Sequence, residues 1–131
     1  MVVANANNPF ALSSGAIISL AINPSSSQGP SDDGRIKPDI AGDGTDVYSA
    51  ESGNDSAYGI KTGTSMSSPN VAGSLLLLQQ YYNELNSQFM RSATLKGLVC
   101  HTATDDGTRI GPDPILGWGL LNSKFAAETI F

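Results

Sequence analysis

The sequence predicts an α/β fold, because it combines an apolar strand-like run with one long and two shorter helical segments. Residues 16–22 form a continuous apolar run with β-branched members, which is typical of a buried strand. Residues 65–85 have the length and composition of a long helix, and residues 93–102 and 123–130 favour two more. The chain has 131 residues, which is short for a large α/β enzyme. We therefore expect one partial domain over residues 1–131 and no second domain.

Turn-rich segments separate the elements that precede the long helix. The stretch 24–39 is rich in Ser, Gly, Pro and Asp, and it predicts a loop after the apolar run. Residues 46–50 and 58–62 are two short strand candidates. They are separated by the polar tip 51–56, which is suited to a turn.

The long helix over residues 65–85 carries apolar side chains around nearly its whole circumference in its first turns. This pattern is typical of a helix buried in a larger body. Pro69 stands in its first turn, where a missing N–H costs little. Where the chain cannot cover this helix, we expect exposed apolar surface. For the second helix Ser92 is the candidate N-cap, and the third helix follows Asn122.

Composition and charge argue against several classes of function. The formal net charge is −5 and the seven Lys and Arg residues are scattered, which disfavours nucleic acid and anionic membranes as partners. The longest apolar stretches, such as residues 75–78, are far shorter than the roughly 20 residues that span a bilayer. Cys100 is the only cysteine, so neither an internal disulfide nor a cysteine-based metal site is expected. The acidic residues lack EF-hand spacing, and no metal or cofactor is predicted.

The segment that carries chemistry is residues 63–73, Gly-Thr-Ser-Met-Ser-Ser-Pro-Asn-Val-Ala-Gly, which delivers Ser65 to the mouth of the long helix. A serine hydroxyl needs a base to take its proton, and the charge that then develops on a substrate carbonyl oxygen needs preorganised donors. A helix N-terminus supplies such donors as unpaired N–H groups. Gly63, with Thr64 beside it, would let the substrate backbone approach closely. Without the rest of the string, helix capping would be the better explanation of these serines.

The full string resembles the serine signature of the subtilisin-like peptidases, Gly-Thr-Ser-Met-x-x-Pro-x-Val-Ala-Gly, and it matches at every fixed position. Residues 26–30 resemble the family's Ser-Ser-x-Gly-Pro loop, and the 16–22 run fits the strand just before it. Residues 35–40 are similar to its Lys-Pro-Asp-Val/Ile segment, and residues 116–122 resemble its Gly-x-Gly-x-x-Asn stretch. The resemblance covers about residues 16–130.

This resemblance implies a fold, an activity and partners. The fold would be the C-terminal half of a subtilisin-like, mostly parallel sheet flanked by helices, incomplete in this chain. Ser65 would be the acyl-forming nucleophile of a serine endopeptidase, and its own backbone N–H would contribute to the oxyanion hole. The expected partners are peptide or protein substrates, together with either a second copy of the chain or a missing N-terminal segment. The family resemblance also implies secretion.

Three further residues are candidates for roles in such a site. Residues 2–8, Val-Val-Ala-Asn-Ala-Asn-Asn, are similar to the family's Val-Val-x-Ala-Ala-Gly-Asn stretch, which would make Asn8 the oxyanion-hole asparagine. An asparagine-rich frayed terminus explains the same residues equally well. His101, the only histidine, follows Ser65 in the chain, against the family order Asp, His, Ser, and a helix-end role is the better explanation for it. Cys100 is expected to be a small buried hydrophobe.

The other two members of a catalytic triad are not found in this sequence. No Asp-Thr/Ser-Gly motif precedes Ser65, and there is no His-Gly-Thr motif. Residues 42–44 read Gly-Asp-Gly where many relatives have Ala-Pro-Gly, and Asp43 is given no catalytic role. The chain is therefore predicted to be the catalytically incomplete, nucleophile-bearing part of a serine endopeptidase. The alternative is a non-catalytic subtilase-like fragment or pseudo-enzyme that acts as a binding or assembly module.

Overall fold

The computed structural model of the chain describes residues 1–11, 14 and 17–130. Strands and helices follow one another in a mixed order, which confirms the predicted α/β class. In chain order the described elements are β1 Val3–Ala6, β2 Phe10–Ala11, β3 Ile17–Ser19, β4 Ile40–Asp43, β5 Val47–Ala50, β6 Tyr58–Lys61, α1 Thr64–Asn86, α2 Ser92–His101 and α3 Ser123–Glu128.

Strands β1 and β4 lie at the centre of the fold and run parallel to each other. Residues 7–39 supply the long connection that a parallel pair requires. The pair ends with Ala6 opposite Asp43, so both carboxyl ends meet at one edge of the sheet. On the far side of β4, Ala41 pairs in parallel with Leu120 through a single bridge. In parallel α/β sheets the carboxyl edge is where functional groups collect.

Helix α1 packs against one face of the β1–β4 pair. Val71 and Leu78 are buried in this contact, and Gly42 allows the helix to come close. A Cβ at Gly42 would lie 2.6 Å from Cγ2 of Val71. On the other side of the helix Leu76 and Leu77 are 72% and 67% exposed. The helix predicted to be buried on nearly all sides is therefore covered on one side only, and the expected exposed apolar surface is present.

Two apolar clusters lie on the two faces of the β1–β4 pair. The first joins β4 to all three helices and contains Ile40, Val71, Leu78, Met90, Val99 and Ala126. The second contains Ala4, Ala6, Ala41, Leu116 and Leu120. Because side chains alternate along a strand, Asn5, which stands between Ala4 and Ala6, points toward α1.

Strands β5 and β6 form an antiparallel hairpin that leads into α1. Their bounds agree within one residue with the strand candidates at 46–50 and 58–62, so that prediction is confirmed. Tyr48 and Tyr58 stack on an exposed face of the hairpin, with ring centroids 5.5 Å apart. Only two residues separate the end of β6 from Thr64, so the hairpin sets where the helix starts.

The predicted buried strand over residues 16–22 is wrong in its extent, and the sequence predicted no partner for it. Strand β3 covers Ile17–Ser19 and pairs antiparallel with β2, and the first residue of the predicted run lies outside the described residues. Beyond β3, Ala21 is exposed and Ile22 makes a single antiparallel bridge to Ala6. β1 instead pairs directly with β4. An apolar run shows that a segment is suited to burial, but it does not show which strand will be its neighbour.

The two shorter helices lie close to their predicted positions. α2 begins at Ser92, so Arg91 rather than the predicted Ser92 occupies the N-cap position. α3 follows Asn122, whose side chain accepts a hydrogen bond from the N–H of Phe125 and confirms the predicted start. It ends at Glu128, two residues before the predicted end.

Two kinds of feature that would point to other functions are absent from the described ranges. No helix there combines the length and apolar character that a membrane span requires. Within the same ranges, no group of three or more His, Cys, Asp or Glu residues is placed to hold a metal ion.

Candidate active site

Ser65 lies in the first turn of α1, at the carboxyl edge of β4. The chain reaches this point from Lys61, the end of β6, and the N–H of Gly63 donates to the carbonyl oxygen of Gly44 at 2.8 Å. Ser65 is exposed, whereas Ser67 is fully buried against the strands. Two residues along a helix correspond to a rotation of about 200°. Ser65 therefore faces away from the sheet while Ser67 faces into it.

The start of α1 leaves backbone donors free. The N-cap residue is Gly63, with φ 154° and ψ 168°, and the described residues make no side-chain cap to this helix. The carbonyl oxygen of Gly63 accepts the N–H groups of Met66 at 2.9 Å and Ser67 at 3.2 Å. The N–H groups of Thr64 and Ser65 lie in the first turn, where no helical carbonyl oxygen stands one turn earlier to accept them, so they have no partner within the helix. Together with the positive end of the helix dipole, they favour a negative charge beside Ser65.

This first turn is held by close packing from the two central strands. A Cβ on Gly44 would lie 2.1 Å from Oγ of Ser67 and 2.6 Å from both the carbonyl oxygen of Gly63 and the nitrogen of Ser67. The Ser67 hydroxyl donates to Oδ1 of Asn5 at 3.1 Å. The N–H of Asn5 in turn donates to Oγ of Ser26 at 3.0 Å. Gly44 and Asn5 thus contact the turn that carries Ser65 through Gly63 and Ser67.

Asn5 is a site residue that sequence reasoning missed. Its side chain is fully buried, and its Nδ2 has no hydrogen-bond partner among the described residues. It occupies the first alanine position of the Val-Val-x-Ala-Ala-Gly-Asn stretch. The sequence did contain a signal for Asn5, namely a polar residue at an apolar position of a buried strand. Buried polar groups require hydrogen-bond partners, so such a residue indicates a partner elsewhere in the fold.

Asn8 lies just beyond β1, on the same carboxyl edge as the start of α1. It is exposed and has a φ of 42°, a conformation that asparagine adopts more readily than most residues. Its Nδ2 approaches Oδ2 of Asp46 at the long distance of 3.5 Å, and the N–H of Asp46 donates to Oγ1 of Thr62 at 2.9 Å. Because residues 3–6 form a paired strand, Asn8 follows an ordered element rather than a frayed end. Its assignment to the oxyanion hole stays a prediction.

His101 and Cys100 lie at the opposite edge of the sheet from Ser65. With Trp118 they line an apolar cavity of about 380 Å³. The N–H of Trp118 donates to the carbonyl oxygen of Asp39, the residue before β4, whereas Ser65 lies beyond the carboxyl end of that strand. At about 3.3 Å per residue, β4 separates the two edges by roughly 10 Å. His101 is therefore not in hydrogen-bond reach of Ser65, and burial raises the pKa of the Cys100 thiol.

A family of known proteins matches this chain in sequence. The sequence profile of the Subtilase family matches residues 2–119, which is most of the chain. The chain belongs to the subtilase family. The matched residues of this subtilase chain include Ser65, Asn8 and the whole serine signature.

Curated relatives of the subtilase chain are proteases much longer than it. The chain is 35% identical over 109 residues to the subtilisin-like protease SBT3.2 of Arabidopsis thaliana, covering 71% of this chain and 14% of the relative. It is 51% identical over 57 residues to the C5a peptidase of Streptococcus pyogenes, covering 44% of this chain and 5% of the relative. The chain therefore spans only a small part of the length of these relatives.

Solved structures share the fold of this subtilase chain. The CspB protease of Clostridium perfringens superposes with a TM-score of 0.73 at 24% identity, covering 83% of this chain and 24% of that one. Fervidolysin from Fervidobacterium pennivorans gives a TM-score of 0.70 at 22% identity, covering 96% of this chain and 18% of that one. Likeness at these identities concerns the fold alone, and it confirms the predicted subtilisin-like α/β architecture.

Proposed function

We propose that Ser65 is the acyl-forming nucleophile of a serine-type endopeptidase and that this chain is the nucleophile-bearing part of that enzyme. The observation that supports the proposal is the exposed hydroxyl of Ser65 at a helix start without a side-chain cap. When a nucleophile at this place attacks a carbonyl carbon, free N–H groups can donate hydrogen bonds to the carbonyl oxygen as it gains negative charge. Membership of the subtilase family supports the same assignment.

In the proposed reaction a base takes the proton of the Ser65 hydroxyl as Oγ bonds to the carbonyl carbon of a peptide. The carbonyl oxygen gains the displaced electron pair and accepts hydrogen bonds from the N–H of Ser65 and, as we propose, from Nδ2 of Asn8. Collapse of this intermediate breaks the C–N bond, and the leaving amine takes the proton from the base. Water then hydrolyses the ester. Gly63 has no side chain to obstruct the substrate backbone, and Thr64 is exposed beside it.

The base of this reaction is proposed to lie outside the 131 residues. His101 is the only histidine, and β4 separates it from Ser65. Efficient proteolysis by this chain alone is therefore not expected. We propose that the chain is catalytically incomplete and that the parent enzyme acts on peptides or proteins.

Imidazole in solution can stand in for the missing base, which gives a test of Ser65 in this chain. The chain is treated with a fluorophosphonate, which phosphonylates activated serines, at increasing imidazole concentrations near pH 7, and its intact mass is followed. We expect a single adduct whose rate of formation rises with imidazole and which disappears in Ser65→Ala. Ser68→Ala is the matched control, because Ser68 is an exposed neighbour on the same helix. Adducts spread over several serines, or an equal rate in Ser65→Ala, would contradict the proposal.

A second candidate function is that of a non-catalytic binding or assembly module. The exposed apolar side of α1 favours it, since Leu76 and Leu77 have no cover within the described residues. A second copy of the chain, or a segment N-terminal to this one, would bury this side. Sedimentation velocity at increasing concentration tests self-association. A chain that associates but never gives an imidazole-dependent adduct would favour assembly over catalysis.

We also propose that the parent protein is secreted, on the strength of the family resemblance. Fractionation of the source cells with an antibody against this chain tests the proposal. Detection in the medium supports secretion, and retention inside the cells contradicts it.

A further inference from the structure

A buried hydrogen bond joins β1 directly to the first turn of α1. Oγ of Ser67 donates to Oδ1 of Asn5 at 3.1 Å, and both residues are 0% exposed. A serine inside a helix commonly donates instead to a carbonyl oxygen one turn earlier, which here would be that of Gly63. That carbonyl oxygen accepts the backbone N–H groups of Met66 and Ser67. The Ser67 hydroxyl thus donates its hydrogen bond to a residue of β1 rather than to a carbonyl oxygen of its own helix.

A second hydroxyl near Oδ1 of Asn5, that of Thr45, makes its main hydrogen bond elsewhere. Oγ1 of Thr45 is 3.4 Å from Oδ1 of Asn5 but only 2.9 Å from the carbonyl oxygen of Ala6, to which it donates. The same Oγ1 accepts a hydrogen bond from Nδ2 of Asn23 at 2.9 Å. Since a hydroxyl carries one proton, Ser67 is the principal side-chain partner of Asn5.

The Asn5–Ser67 pair is poorly explained by stability alone. Nδ2 of Asn5 is buried without a partner among the described residues, and an unsatisfied buried donor destabilises a fold. Apolar side chains of similar shape would remove the pair and the unpaired donor together, and such replacement is often neutral or stabilising. The family patterns require neither residue, because Ser67 falls on an x of the serine signature and Asn5 departs from the alanine at its position.

We propose that the Asn5–Ser67 hydrogen bond is a positioning device for the active site, an inference that rests on the proposed function of Ser65. Asn5 lies three residues before Asn8, and Ser67 lies two residues after Ser65. One bond therefore links the segments that carry the two proposed oxyanion donors. It sets the rotation of the first turn of α1 about the helix axis relative to β1. Asn5 and Ser67 are positioning residues, since they act through Ser65 and Asn8 and do not touch the substrate.

A thiol placed at residue 65 tests this inference without requiring catalysis. The reporter chain carries Ser65→Cys together with Cys100→Ser, so that it has one thiol. A helix N-terminus with free N–H groups favours the thiolate, and the rate of alkylation by iodoacetamide at different pH values measures it. The test variant adds Asn5→Ala and Ser67→Ala together, which leaves neither partner buried without the other. Ser68→Ala in the reporter chain is the matched control.

We expect the midpoint of the alkylation profile to lie below that of an ordinary thiol in the reporter chain. In the double variant it should rise by about one pH unit, which is a roughly tenfold smaller thiolate fraction at neutral pH. The Asn5→Ala and Ser67→Ala single variants should each give much of the same shift, because they break one shared bond. Ser68→Ala should leave the midpoint unchanged.

Other outcomes separate failure of the inference from failure of the proposed function. An unchanged midpoint in the folded double variant overturns the positioning role and leaves the function of Ser65 intact. A double variant that loses its circular dichroism also overturns it, because the pair would then be needed for the fold itself. An ordinary thiol midpoint in the reporter chain would contradict the proposed function, and the positioning role would fail with it.

Discussion

Gly44 lies beneath the first turn of α1, and replacing it by alanine should displace that turn. The added Cβ would lie 2.1 Å from Oγ of Ser67 and 2.6 Å from the carbonyl oxygen of Gly63. It would also lie 2.6 Å from the backbone nitrogen of Ser67. Two of these three atoms belong to the backbone and cannot rotate away. The Ser67 hydroxyl can move only by giving up its hydrogen bond to Asn5.

The expected cost of Gly44→Ala follows from these contacts. Overpacking of a close contact costs about 1–3 kcal/mol. Loss of the Ser67–Asn5 hydrogen bond adds about 1 kcal/mol. We therefore expect the free energy of unfolding to fall by about 2–4 kcal/mol. For a chain of this size the melting temperature should drop by roughly 10 °C.

Gly73→Ala is the matched control, since it makes the same chemical change within α1. A Cβ at Gly73 would meet nothing within 4 Å. Alanine is favoured over glycine in a helix by about 1 kcal/mol, so this variant should be stabilised. Urea denaturation followed by circular dichroism measures both variants. An unfolding midpoint of Gly44→Ala at the wild-type urea concentration would contradict the expected overpacking. Midpoints of both variants that shift in the same direction would contradict it as well.

Three further predictions concern the rest of the fold. Partial burial raises the pKa of Asp39, but hydrogen bonds from Lys37 and from the N–H of Val2 lower it more, so that it lies below the ordinary 3.8. Ionised Asp39 should therefore stabilise the folded chain above about pH 4, and this stabilisation should be lost as the pH falls through the lowered pKa. Asp39→Asn should remove this part of the acid dependence of the free energy of unfolding. Burial raises the pKa of Cys100, so iodoacetamide should alkylate it several-fold more slowly in the native chain than in urea, and equal rates would contradict this. Asn122→Ala removes the cap of α3 and should cost about 1 kcal/mol in urea denaturation, with Asn122→Ser recovering part of it.

Local rules are enough to predict the helices and the β5–β6 hairpin. Two short runs around a polar tip predict a hairpin, and the structure contains one within a residue of the expected bounds. Asn122 starts α3 because its side chain caps the helix directly, which sequence shows well. The N-cap of α2 was placed one residue too late, which is the usual scale of disagreement at helix ends.

Strand partners could not be predicted in the same way. The apolar run at 16–22 has the composition of a buried strand, yet β3 pairs with β2, its close neighbour in sequence. β1 takes β4 as its partner through contacts between residues far apart in the chain. Periodicity describes the burial of one segment at a time, so it contains little information about such pairing.

The candidate site was predictable in part. The serine signature located Ser65, Gly63 and Thr64 at the start of a helix, and the structure places all three there. Asn5 was not found, because its role depends on a partner 62 positions away in the sequence. A polar residue between two alanines in a buried strand is the kind of local inconsistency that marks functional sites.

The start of α1 is expected to stabilise a negative charge on a group bonded to Ser65. A peptide boronic acid is the most direct probe, because Oγ of Ser65 bonds to boron while the hydroxyl proton passes to the buffer, which leaves a tetrahedral anion on Ser65. Boron NMR detects this adduct, and amide shifts locate it. We expect a tetrahedral signal that is lost in Ser65→Ala, with shifts at the N–H of Ser65 and at the side-chain amide of Asn8. A tetrahedral signal that persists in Ser65→Ala, or none in the wild-type chain, would contradict it.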